Sequence, residues 1–121
     1  MYRQKLTDVP DHILGQPANA KNGMKWQSDY NIAAWFRFKQ LTHDMVKLHI
    51  HWSDESGENM LCVDQTTINS QSLLLSGIAR IKVTGQIKSM SIALETANLS
   101  FTVDELFVQP ARHPQTTKVA L

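Results

Sequence analysis

The chain has 121 residues, 42% of them hydrophobic and 19% charged, a composition that folds around one core and excludes both disorder and a two-domain layout. Lys and Arg exceed Asp and Glu by one, for a formal net charge of +1 with His neutral, which offers no electrostatic case for nucleic acid or an anionic membrane as partner. The single cysteine, Cys62, excludes an internal disulfide and a cysteine-cluster zinc site; within the apolar run MLCV it reads as a small buried hydrophobe.

The opening MYRQKLTDVPDH has no apolar run of signal-peptide length, and no later segment reaches membrane-spanning length. The sequence as it stands carries the expectation of a cytoplasmic protein, or of an extracellular one if a signal has been removed ahead of it. Asn22-Gly23 marks a tight turn leading into MKWQ. NIAAWFRFK then alternates, with Ile32, Ala34, Phe36 and Phe38 opposite Ala33, Trp35, Arg37 and Lys39. After QLTHD, a polar link of hairpin length, MVKLHIHW alternates again, with Val46, Leu48, Ile50 and Trp52 opposite Lys47, His49 and His51.

SDESGEN is a polar turn around Gly57, and MLCVDQ the strand after it. SLLLSG and IARIKVTG follow, then QIKSMSIALET, the turn ANLS, and FTVDELFVQP as the last strand. No segment of ten or more residues has helical periodicity. Short strands at roughly 8–12-residue spacing predict an all-β fold, a single-domain antiparallel β-sandwich of about 8–10 strands over residues 1–110. ARHPQTTKVAL (111–121) reads as a C-terminal tail, in which Val119 and Leu121 could dock on a neighbour.

The order of features from residue 29 to 110 resembles the jelly-roll of carbohydrate-binding modules and galactose-binding-like domains. The pieces that carry the likeness are YNIAAWFRF followed by VKLHIHW, the DESG turn, the small-residue turn LSG, and FTVDELFV, where Phe101, Val103, Asp104, Glu105, Leu106 and Val108 give the closing pattern. The resemblance implies a jelly-roll that binds sugar without catalysis. It also implies a structural calcium as the one cofactor to look for, with Asp104 as its ligand and Asp8 and Asp11 as the only acidic partners near the N-terminus.

His49 and His51 share a strand face with Cβ atoms ~6.6 Å apart, a spacing at which two imidazoles can reach one zinc or copper ion. Lys47 on the same side opposes a cation, no acidic residue has an assigned place there, and solvated or interfacial histidines are the plainer reading. The chain has no GxSxG elbow and no phosphate-cradling glycine loop. Asp54/Glu55 and Asp104/Glu105 are adjacent pairs, which point to opposite sides of a strand. A metal-dependent enzyme using His49 and His51 is the third and weakest reading, with no catalytic motif behind it.

Trp26 and Trp52 read as structural, the first capping one end of the sandwich and the second facing the core. Asn98-Leu99-Ser100 matches a glycosylation sequon, but reads as a turn. Pairing NIAAWFRFK with MVKLHIHW as neighbouring antiparallel strands puts Trp35, Arg37, Lys47, His49 and His51 on one outer surface. An exposed tryptophan ringed by donors suits the apolar face of a sugar, with the cations reading hydroxyls or carboxylates. The expectation is therefore a non-catalytic module that binds a carbohydrate, an acidic glycan included. The alternative is a structural protein that uses this face for homo-oligomerisation or for docking to a larger complex.

Overall fold

The structure is a computed structural model, which describes residues 2–15, 17 and 20–111. Among the described residues seven strands form, β1 (Tyr2–Asp8), β2 (Lys25–Phe38), β3 (Met45–Asp54), β4 (Gly57–Thr67), β5 (Ser72–Thr84), β6 (Ser89–Thr96) and β7 (Phe101–Pro110), with a 3-10 turn at Asp11–Ile13. Every ladder is antiparallel. The strands make two sheets, one ordered β1-β6-β3-β4 and the other β5-β2-β7. The expected antiparallel β-sandwich is the fold.

Alternation decides the inner faces. Ile32, Ala34, Phe36 and Phe38 of β2 and Leu75 and Ile81 of β5 are buried on one side, and Val46, Leu48 and Ile50 of β3 with Ile92 and Leu94 of β6 on the other. Each of the larger side chains contributes about 1.5–3 kcal/mol on leaving water. Phe101 of β7 closes one end of this core, its ring 5.9 Å from Phe36 and 5.7 Å from Phe38. Trp52 faces the core, as expected. Trp26 is half-buried against it, and its indole N–H donates to Gly85 O at 2.7 Å.

Two expectations about strand arrangement require correction. First, β2 and β3 are not neighbours: β2 lies between β5 and β7, β3 between β4 and β6. Among the described strands only β3 and β4 are joined by a hairpin, and every other link between them passes from one sheet to the other. The β2–β3 link is held as such a crossing by long-range backbone bonds: Lys39 N–H donates to Ser100 O at 2.9 Å and His43 N–H to Ile68 O at 3.2 Å.

Second, SLLLSG and IARIKVTG are one strand, and the LSG turn does not exist. Gly77 is in extended backbone because β5 meets β4 there: a Cβ on Gly77 would lie 2.9 Å from Val63 O, and Ser76 N–H donates to Asp64 Oδ2 at 2.9 Å. With MKWQ also continuing into NIAAWFRFK as β2, and β1 added, the described residues hold seven strands in place of the 8–10 expected. The polar run YRQKLTD, on which the sequence reading placed no element, pairs as an edge strand with β6, although its mostly exposed side chains carry no apolar alternation. Of the tail, Ala111 donates its N–H to Asp29 O at 2.8 Å, and residues 112–121, Val119 and Leu121 among them, lie outside the described residues.

Candidate functional site

Because β2 and β3 sit in different sheets, the five residues expected on one platform divide between two. Trp35 and Arg37 lie on the solvent face of β5-β2-β7; Lys47, His49 and His51 lie on the solvent face of β1-β6-β3-β4, across the core. The joint surface of tryptophan and histidines is not formed.

The three-stranded face is built row by row from the register. Asn31 pairs with Ile78 and Gln109, Ala33 with Ser76 and Phe107, and Trp35 with Leu74 and Glu105. Their inward neighbours fill the core, so these side chains stand in water: Trp35 is 41% exposed, Leu74 41%, Ile78 51% and Phe107 50%. Trp35 and Phe107 are diagonal neighbours on adjacent strands, about 7–8 Å apart and within reach of one another's rings. Between Ile78 and Phe107 the small residues Ala33, Ser76 and Gly77 leave an open hollow of about 490 Å³, edged by Asn31 and Gln109. Sequence reading missed Leu74, Ile78 and Phe107. LLL and LFV are continuous apolar runs, in which alternation alone does not say which members point out, whereas Ile78 shares the outward register of Arg80 and Lys82.

The four-stranded face carries charges of both signs, and His49 is its centre. His49 Nε2 lies 2.7 Å from Glu95 Oε1, the cross-strand neighbour of Lys47 on β6. A carboxylate only accepts, so Nε2 carries the proton. Arg3 Nη2 stands 3.9 Å from the same oxygen. The hydrogen bond from His49, reinforced by the charges of Arg3 and Lys47, holds the Glu95 carboxyl below the usual carboxylate range. Burial lowers the His51 imidazole, and Arg3 and His49 push it the same way. The two rings meet edge to face at 6.1 Å. Glu95 is the acidic neighbour that the sequence could not assign, since strand order alone puts it there.

Cys62 is paired with His49 across the β3–β4 ladder, but is exposed, and its thiol donates to Asp64 O at 3.5 Å. The expectation of a buried Cys62 is thus corrected: it sits on the solvent side of an edge strand. Among the described residues no group of three or more His, Cys, Asp or Glu side chains could hold a metal ion. Asp104, the calcium ligand implied by resemblance, stands at a bulge in β7 and pairs with Arg37 at 3.0 Å. Asp8 pairs with Lys5 at 3.0 Å. These residues do not fit a calcium site.

Asn98 is structural. It is buried, its amide donates to Gln40 O at 2.9 Å and Thr42 Oγ1 at 3.2 Å, and its Oδ1 accepts from Ser100 N–H and Oγ–H. It ties the β2–β3 crossing to the β6–β7 crossing, as a turn residue at the sequon.

No protein-family profile, curated protein or solved structure matches this chain. The functional reading therefore rests on the two faces.

Proposed function

We propose that the chain is a non-catalytic β-sandwich module that docks onto a protein surface through the solvent face of β5-β2-β7. The observation that carries this reading is the concentration of Trp35, Leu74, Ile78 and Phe107, each more than a third exposed, on one side of one small sheet. A contiguous apolar patch with aromatic anchors and a polar border is the surface that protein interfaces use. The separation of Lys47, His49 and His51 from Trp35 removes most of the donors that a sugar platform was to use, which shifts the balance from glycan to protein.

The experiment compares the wild-type chain with a Trp35→Asp/Ile78→Lys variant in gently lysed native cells, fractionated by size. The wild type is expected in an assembly larger than a monomer, and the variant, shown folded by circular dichroism after purification, as a monomer. A wild type that runs as a free monomer in the extract overturns docking. So does a variant that stays in the larger particle.

Carbohydrate binding is the second reading, favoured by the hollow itself: Asn31, Ser76 and Gln109 place amides and a hydroxyl beside the Phe107 ring, the mixture that grips a sugar. Affinity electrophoresis through neutral and acidic polysaccharides checks it. Retardation of the wild type that is lost in Trp35→Ala and Phe107→Ala supports it, and equal mobility in gels with and without polysaccharide removes it.

A further inference from the structure

The apolar rows of the β5-β2-β7 face run between two corners of opposite charge. Where β2 begins and β5 ends, Lys25, Arg80 and Lys82 are exposed; Gln27 pairs with Lys82, and Asp29 pairs with Arg80. Asp29 is buried and offsets one of the three cations. A hollow of about 420 Å³ opens between Lys25 and Lys82, with Trp26 and Val83 in its lining. At the diagonal corner, on β7, Asp104 and Glu105 are exposed, and Arg37 offsets Asp104 at 3.0 Å. One corner is net positive, the other presents the exposed carboxylate of Glu105 on β7, and Ile78, Phe107, Leu74 and Trp35 lie between them.

We infer that the partner for this face is a second copy of the same chain, in a two-fold face-to-face dimer. The inference rests on the docking reading above and names its occupant. In an isologous contact, whatever patch i offers to patch j is offered back by j to i. A two-fold axis in the plane of the face, running obliquely across the strands, lays the basic corner of each copy over the acidic corner of the other. Both charged contacts are then attractive, and the apolar rows meet between them. A face with charge of one sign would repel its own copy; this one is self-complementary.

The dimensions suit a reversible dimer. Thirteen paired positions along β2 and β5 at ~3.3 Å each, across three strands ~4.8 Å apart, give a face of roughly 600 Å². Two copies then bury about 1,200 Å², at the lower end of specific interfaces.

The test is sedimentation velocity on purified full-length chain over a range of concentrations. Wild type is expected to show a concentration-dependent monomer–dimer equilibrium, weakened at least tenfold in 1 M salt. Two variants reverse one corner each: Arg80→Glu/Lys82→Glu makes both corners acidic, and Asp104→Lys/Glu105→Lys makes both basic. Each alone is expected to dimerise at least tenfold more weakly than wild type. Mixed in equal amounts they regain a dimer, which differential tagging shows to be a heterodimer. That recovery also shows that both variants are folded.

A wild type that is monomeric at all concentrations overturns the second copy as occupant. Reversed corners that leave the dimer unchanged, or a mixture that does not regain it, overturn the geometry. A monomeric purified protein still leaves docking itself to the extract experiment, where a larger particle that depends on Trp35 and Ile78 then means a different protein partner. The two failures are therefore separable.

Discussion

His49 Nε2 donates to Glu95 Oε1 across 2.7 Å on a solvent face, yet His49 is only 3% exposed. The sheet's own outer residues cover it: Lys47 and His51 lie on its strand, with Glu95 and Arg3 beyond. A buried donor deprived of its acceptor costs more than the bond contributes. Glu95→Ala is therefore expected to lower stability by about 1–3 kcal/mol. Glu95→Gln, which keeps a side-chain oxygen, is expected to cost less. Urea unfolding of the two variants checks the order, and equal losses would contradict the role of Glu95 as acceptor.

The same face sets a pH dependence. His51 titrates lower in the folded state than its ordinary value of 6.5, so the unfolded chain binds the extra proton as pH falls through that value. Stability from this group is full above the unfolded pKa and declines below it. Glu95 is likewise lowered from 4.5, so its contribution is present above that value and is lost as pH falls through the folded pKa. Melting temperature is expected to decline in two stages on acidification, and His51→Gln to remove the first. A wild-type melting temperature that holds constant from neutral pH down to about 5 would contradict the assignment.

Asp54 joins the β3–β4 hairpin to the other sheet. Burial alone would raise its carboxyl, but hydrogen bonds from Ser56 and Thr84 outweigh that and hold it below its ordinary value. Oδ1 accepts from Ser56 N–H at 2.8 Å and Ser56 Oγ–H at 2.5 Å, and Oδ2 from Thr84 N–H at 3.0 Å. Asp54→Ala strands these donors, and a loss of about 2–3 kcal/mol is expected in chemical denaturation. Asp54→Asn retains one acceptor oxygen and is expected to lose less.

Gly77 is a packing residue, not a turn. A methyl there would press on the Val63 carbonyl, which belongs to backbone and cannot swing aside. Gly77→Ala is expected to destabilise by about 1–3 kcal/mol, the scale of overpacking. If its melting temperature matches wild type, the β4–β5 approach is looser than described.

The sandwich was legible because each inner face alternates: Ile32, Ala34, Phe36 and Phe38, or Val46, Leu48 and Ile50, have buried side chains wherever their strands lie. The charged and aromatic partners of those residues were legible as outward-facing for the same reason. What alternation cannot contain is which strand lies beside which. A link such as 39–44 has hairpin length, and tertiary bonds such as those of Lys39 to Ser100 and His43 to Ile68 show that it crosses the core.

That crossing put Trp35 and His49 on opposite sides of the molecule, gave His49 its carboxylate from β6, and set Leu74 and Phe107 beside Trp35 and Ala33. The sequence by itself determined the inside and outside of each strand, since side-chain period is a local property of extended backbone. The company each outward residue keeps was decided only by the tertiary structure, because strand order answers to burial of the whole apolar surface and not to any one segment.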